Sequence, residues 1–410
     1  MNLTRRHWLV FLCCCGLLAC SLGLGVNAYG VFLTPVSEAL GVGRASVSFH
    51  VTISGLTVAF ISPFLVRLLK QGPFHLILGA CVILNSLSYV GMAFADRLWM
   101  FYLIGIIRGI GSAGFYTATA TIILGNWFHS RLGTFTGIMV SASGIFGALL
   151  SPLLTAIITR FGYQAAYLFS AAFVLFAALP TPLLVSLYPE EKGFSPYRTE
   201  LQTTASSSGG SIRMVNKLTY ASPLFLLTMV LSFFLGFEVG VVSHLSGYAQ
   251  SIGFSAATGA LIMSACMASN LVSKTLYGIM SDHMPPMLVS AIMLSMNICG
   301  ICLITFSRSV PLLLLGGFLH GCVYSTTTVG LAALFRGQYG NSQYSNPFAL
   351  GTSMGSLANA IAITMIGVGF DLTDSYHFPF LVCIVISVAN ICLLGTICRL
   401  GSKNRTVEDH

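Results

Sequence analysis

Four ionisable side chains stand where ionisable side chains are expensive. Arg108, Glu238, Lys274 and His320 each lie inside a long run of apolar residues. A charged group at the centre of a membrane-crossing helix costs about 2.5–3.5 kcal/mol on insertion scales, so such groups face a polar cavity or a partner. With His320 neutral, two cations and one acid sum to a single positive charge, which suits a monoanion. A proton on Glu238 raises that sum, so anion and proton binding favour each other by linkage. The chemistry is therefore capture of a small anion, with Glu238 as the proton-coupling group. Each residue also has a plainer reading. The five donors of Arg108 suit carbonyls of a neighbouring glycine-broken helix as well as an anion, Lys274 can reach toward the interface, Glu238 can pair permanently with a cation, and His320 can be a hydrogen-bonder inside a bundle. Asn27, Tyr29, Tyr116, Asn270, Tyr324 and Asn359 offer uncharged hydrogen bonds, either to a substrate or between helices at about 0.6 kcal/mol each.

The chain that must position these groups has 410 residues, 55% hydrophobic and 7% charged, with a mean hydropathy of +0.86. Soluble chains carry roughly a quarter charged residues. There are too few charges to cover a globular surface, which excludes a water-soluble enzyme and makes lipid the solvent. The net charge of +8 comes from basic residues scattered singly, not gathered into a patch, so nucleic acid is not an expected partner. Twelve apolar runs are long enough to cross a hydrocarbon core of about 30 Å. They cover 8–34, 45–69, 74–94, 98–125, 132–158, 164–187, 221–249, 257–281, 286–307, 310–335, 346–370 and 378–399. The expected fold class is an all-α membrane protein of twelve transmembrane helices in two pseudo-symmetric six-helix bundles.

The expected organisation is an N-terminal bundle at 1–188, a linker at 189–220, a C-terminal bundle at 221–400 and a tail at 401–410. Thirteen Lys and Arg fall on the side of the linker and four on the other. An excess of basic residues marks the cytoplasmic side, which places both termini in the cytoplasm. Positions in the two halves also echo each other at a nearly constant offset, as in Gly41 with Gly253, Arg108 with His320, Phe135 with Phe348 and Tyr163 with Tyr376. Such self-similarity is the sign of internal duplication. Parallel repeats of this kind place a ligand site near the midplane at the repeat interface.

The stretch after the eighth span, Gly278 through Asp282 and His283, resembles the G-x-x-x-D-R cytoplasmic motif of the major facilitator superfamily, with His for Arg. The matching stretch of the first half, Ser62 through Arg67, keeps the Arg alone. Arg108, Gly111 and Gly114 on the fourth span are similar to the superfamily's R-x-x-x-G pattern. Tyr29 through Phe32, the run from His244 through Tyr248 and Gly253 to Ser255, and Asn126-Trp127-Phe128 with Arg131 and Gly137 resemble its monocarboxylate-porter and oxalate/formate-antiporter branches. The resemblance implies that Lys274, four positions before Gly278, meets a substrate carboxylate. The oxalate branch has a second basic residue where this chain has Asn359, which favours a monoanion over a dianion. Gly278, Asp282, Arg131 and Arg336 are then expected to form a cytoplasmic gate. The resemblance implies an alternating-access secondary transporter in the plasma membrane, working as a monomer without a cofactor or metal, by proton coupling or exchange.

Other signals point away from chemistry. Cys299 and Cys302 form a C-x-x-C pair inside a span, where Cys acts as a small apolar residue. Gly109, Gly111 and Gly114 mimic a dinucleotide loop but lie mid-helix, where small residues allow close helix packing. No G-x-x-x-x-G-K-[ST] loop occurs, so the energy comes from gradients. Two other readings stay open at this point: a proton-coupled exporter of amphipathic drugs or metabolites, to which 15 Met and 29 Phe are suited, and a non-transporting membrane sensor.

Overall fold

The computed structural model describes residues 4–129, 132–197, 222–281, 283–343 and 345–408. Buried in hydrocarbon, a backbone must satisfy its own polar groups, and a run of helices is how this sequence does so. Helices α1 (Arg5–Asn27), α2 (Arg44–Gln71), α3 (Phe74–Phe94) and α4 (Leu98–Trp127) are followed by one continuous stretch holding α5 (132–161) and α6 (163–184). The second half has α7 (Pro223–Ser251), α8 (Ala256–Ser281), α9 (Pro286–Phe306), α10 (Val310–Gly340), α11 (Ser345–Thr373) and α12 (His377–Glu408).

The described residues contain eleven continuous apolar stretches long enough to cross a membrane. The fifth, Phe135–Leu184, has 50 residues, which at 1.5 Å each is about 75 Å and far exceeds one crossing. Gly162 divides it: its φ of 83° is left-handed, open to glycine and hostile to continued helix. The stretch therefore holds two of the twelve expected spans.

Chain contacts divide the molecule into two compact units, Met1–Gly209 and Gly210–His410. Each shows the internal repeat in its turns. Gly41 ends the first span with φ 64°, and its repeat counterpart Gly253 ends the seventh with φ 90°. Gly162 has its counterpart, at the same offset, in Asp374, whose φ is 52°; Asp is one of the few side chains that enters this region readily.

Polarity is inverted relative to a soluble protein. Phe60, Phe176 and Leu372 are 79%, 82% and 80% exposed, whereas Glu238 and His320 are fully buried. Helices approach closely where glycines line their faces. A Cβ on Gly105 or Gly109 would press into α2 at His50, Ser54 and Thr57, and one on Gly111 or Gly114 into α3 at Asn85 and Cys81. The glycine run of the fourth span is thus a two-sided packing surface.

Four helices are irregular at depth. α1 changes from α-helix to a wider π-helical stretch over Ala19–Asn27, and the first span, taken with α1 from here on, then tightens at Tyr29–Phe32 and runs on as helix over Leu33–Leu40. α4 breaks after Ala113 and restarts at Thr117. α7 tightens over Gly240–His244. α10 breaks after His320 and widens over Thr326–Gly330. These are the first and fourth helices of each half. Irregular backbone at membrane depth is tolerated only where protein or a polar cavity surrounds it, and such helices supply binding sites in transporters.

Candidate functional site

In the N-terminal half the site grows from the π-helical stretch of α1. Widening frees the carbonyl of Gly25, and the Arg108 guanidinium on α4 donates to it through Nη2. Arg108 lies over the rings of Tyr29 and Tyr89, at 4.7 and 5.4 Å from their centroids. Cation–π contacts of this kind contribute about 2 kcal/mol when desolvated. The residue is only 4% exposed, and its Nε and Nη1 have no hydrogen-bond partner. A buried guanidinium with two unused donors is costly to keep and receptive to an anion.

The Tyr29 ring is fixed from behind. Its hydroxyl meets His50 Nε2 at 2.6 Å and the Tyr167 hydroxyl at 2.8 Å. His50 Nδ1 faces the Val47 carbonyl, which can only accept. In the neutral ring Nε2 is then an acceptor, so Tyr29 donates to His50 and Tyr167 donates to Tyr29. Phe32 stacks on Tyr167 at 4.2 Å. Asn85 on α3 donates to the Arg108 carbonyl at 3.3 Å and to the Ser112 hydroxyl at 2.8 Å.

In the C-terminal half Glu238 sits at the end of the first helical segment of α7, just before the backbone tightens. One carboxylate oxygen accepts from the Asn297 amide on α9 and the other from the Asn390 amide on α12. Asn297 also donates to the Ser387 hydroxyl at 3.2 Å, and its oxygen accepts from His320 Nδ1 at 2.7 Å. All five side chains are fully buried, while His320 Nε2 and Asn390 Oδ1 have no partner. The cation that the sequence reading allows as a fixed partner of Glu238 is replaced by two neutral amides.

Lys274 lies on α8, partly buried, with no hydrogen bond or ion pair to another described residue. On the same helix the Asn270 oxygen and the Ser273 hydroxyl are buried without partners, as is the Thr326 hydroxyl in the widened part of α10. Ser269 meets Cys322 at 3.7 Å and Tyr277 packs against Gly330. This register puts Thr326 between those two contacts, at the level of Ser273. Ser273 and Thr326 thus share one stretch of the α8–α10 seam, and Asn270 and Lys274 lie on α8 within one turn of it.

The remaining expected residues are dispersed. Asn27 donates to the Ser143 carbonyl at 3.0 Å and so joins α1 to α5. Tyr116 caps the second part of α4 and is partly buried within the electrostatic reach of Arg108. Tyr324 is 9% exposed between the two breaks of α10, and Asn359 is partly buried on α11. Of the gate residues, Gly278 has open space around it and Arg336 is exposed but engaged; Arg131 and Asp282 lie outside the described residues. The sequence reading did not single out Asn85, Asn297, Asn390, His50 or Tyr167. The internal repeat held a clue to the first two, because Asn85 and Asn297 are separated by the same offset as Arg108 and His320.

Comparison with known proteins follows the same lines. The family model described as Major Facilitator Superfamily matches residues 15–362. The chain is 23% identical over 372 residues to an uncharacterized MFS-type transporter, YcxA, of Bacillus subtilis (strain 168), covering 88% of this chain and 87% of that one. It is 25% identical over 361 residues to monocarboxylate transporter 12 of Mus musculus, covering 79% and 71% respectively. It is also 25% identical over 284 residues to monocarboxylate transporter 13 of Rattus norvegicus, covering 68% and 63%. Among solved structures, the nucleoside transporter NupG superposes with a TM-score of 0.76 at 13% identity, covering 95% of this chain and 99% of that one. A bacterial homolog of the human lysosomal transporter Spinster, inward-facing and occupied, gives 0.72 at 13%, covering 98% of each chain. The family match, the broken helices and the apolar spans converge on one assignment: the chain belongs to the Major Facilitator Superfamily and is a multi-pass integral membrane transporter of small molecules, not an enzyme.

Proposed function

We propose that the protein is an alternating-access secondary transporter of a small organic anion, of monocarboxylate type, coupled to protons or working by exchange. The observation that carries this reading is the state of two cations within the spans, Arg108 buried and Lys274 partly buried. Arg108 keeps two donors unused, and Lys274 has no counter-charge among the described residues. Holding such groups uncompensated costs several kcal/mol, and an arriving carboxylate offsets that cost through charge-assisted hydrogen bonds. Relatives named monocarboxylate transporters support the choice of anion. Glu238, held by amides instead of a cation, can take a proton without breaking an ion pair, which suits a coupling role. Asn270 and Tyr324 would complete the anion's surroundings in their half, as Tyr116 would beside Arg108. Gly278, Asp282, Arg131 and Arg336 would close the cytoplasmic side. The proposed setting is the plasma membrane, with both termini cytoplasmic and the protein monomeric.

Purified protein screened for thermal stabilisation by small monocarboxylates, then tested for counterflow of the best ligand in proteoliposomes, checks the reading. Stabilisation that disappears in Lys274→Gln, together with counterflow by the wild type, is the expected result. Stabilisation by lipophilic cations and none by carboxylates would overturn it.

A further inference from the structure

The hydrogen bonds that join Asn390, Glu238, Asn297 and His320 have a direction. An ionised carboxylate has no hydrogen to give, so both amides must turn their NH2 groups toward Glu238. This leaves the Asn297 oxygen facing His320. An amide oxygen only accepts, so Nδ1 carries the ring hydrogen and Nε2 of the neutral ring is a bare lone pair. That nitrogen is the unpartnered, fully buried end of the chain.

We infer that Asn297 is a positioning residue that transmits the protonation of Glu238 to His320, turning Nε2 from a hydrogen-bond acceptor into a donor for the transported anion. The inference rests on the carrier reading above and supplies its coupling step. When Glu238 takes a proton from the aqueous phase, its new O–H needs an acceptor. Reversal of the Asn297 amide provides one and brings NH2 to His320, where Nδ1 must then accept. Water delivers one proton to Nε2 and removes one from Nδ1. The sum is one O–H bond formed at Glu238, one N–H bond formed and one broken on His320, and one proton taken up, with the imidazole neutral throughout. The Nε2–H now available can hold a carboxylate oxygen, so proton and anion stabilise each other's binding.

Besides Asn297, a protonated Glu238 has as acceptors the Ser387 hydroxyl and, after its own reversal, the Asn390 amide, and the charged and titratable surroundings are sparse. Helix α12 brings Cys383 within the electrostatic reach of Glu238, and α8 brings Cys266 against Gly321, next to His320. Helix α11 meets α7 with Gly355 and Ala362, which carry no charge. Helix α9 contributes Asn297 itself, and its Gly300 lies directly against the His320 backbone.

Nitrogen NMR of the full-length protein in bilayers, with isotope-labelled imidazoles and His320 assigned by difference from His320→Asn, reads the tautomer directly. The expected result is Nδ1–H at about pH 8 and Nε2–H at about pH 5, an interval within which a buried carboxyl group can take up its proton. Asn297→Leu should abolish the change. Asn390→Leu, which removes the other amide from Glu238 without touching His320, should retain it. One tautomer at both pH values in the wild type, a measurement that needs no variant to fold, overturns the relay, as does switching that survives Asn297→Leu. Counterflow on the same preparation separates the two ideas: switching without carboxylate transport refutes the carrier reading and leaves the relay intact, whereas pH-driven uptake with a fixed tautomer does the reverse.

Discussion

Asn85 and Asn297 occupy equivalent positions of the two repeats and do the same job in their own halves: each holds, through its amide, the residue that carries the ionisable group of the next helix. Asn85 donates to the backbone of Arg108, and Asn297 accepts from the side chain of His320. The partners Arg108 and His320 are themselves equivalent in the repeat. Duplication thus kept the helix-to-helix amide and diversified what it holds. One half has a cation above a backbone carbonyl, and the other has a ring linked through Asn297 to a carboxyl group.

Replacement of Arg108 separates its two tasks. Arg108→Lys keeps the charge but loses the planar fork, and the Gly25 carbonyl loses its donor. An unsatisfied buried group costs about 1–3 kcal/mol, so the midpoint of thermal unfolding in detergent should fall. Carboxylate affinity, read by ligand-induced stabilisation, should fall roughly 10-fold or more, the loss of about one charge-assisted bond. Full affinity in a destabilised Arg108→Lys protein would leave Arg108 an anchor only.

Lys274 behaves differently because it holds nothing in place among the described residues. Lys274→Gln breaks no contact among the described residues and removes an uncompensated charge, so the unfolding midpoint without ligand should not fall. It should nonetheless remove carboxylate-dependent stabilisation. A large loss of stability without ligand would show that Lys274 supports the fold.

Glu238→Gln tests coupling. The variant replaces an acceptor-only carboxylate with an amide that cannot titrate and whose NH2 opposes the NH2 of Asn297 or Asn390. If proton and anion binding favour each other, wild-type uptake rises as the outside pH falls, and an inward proton gradient drives accumulation. In Glu238→Gln the gradient should drive nothing, while exchange of internal for external carboxylate continues. Unaltered pH dependence would remove Glu238 from the pathway.

The sequence exposed these sites unevenly, for physical reasons. Arg108, Glu238, Lys274 and His320 were visible because ionisable residues are conspicuous in apolar runs. Asn297 and Asn390 are neutral, and a neutral amide in a span reads equally as interhelical packing, so the partners of Glu238 could not be named from composition. Tyr29 was legible as a polar group, but its backing by His50 and Tyr167 required knowing which faces of α1, α2 and α6 meet. The spans were recovered from hydropathy, and the one apparent fusion, across Gly162, comes from a turn too short to interrupt an apolar run. The widening of α1 and α10 had no clear sequence mark beyond Gly23, Gly25 and a run of Thr from Thr326 to Thr328.

The contact between α9 and α10 gives the sharpest steric test, because it lies against His320. A Cβ on Gly300 would press into the His320 backbone nitrogen and lie 2.7 Å from the Gly316 carbonyl oxygen. Both are backbone atoms that cannot turn aside, so Gly300→Ala must push the helices apart, and overpacking of this kind costs about 1–3 kcal/mol. Separation also stretches the bond between Asn297 and His320, since Asn297 is one turn from Gly300 on the same helix. The expected outcome is a lower unfolding midpoint together with weaker pH dependence of uptake at unchanged expression. Gly278→Ala is the matching control: a Cβ there meets nothing within 4 Å, so its stability should equal that of the wild type, and a transport defect without instability is what the proposed cytoplasmic gate would produce. If Gly300→Ala proved as stable as Gly278→Ala, the close approach of α9 to α10 would be wrong, and with it the placement of His320 beside Asn297.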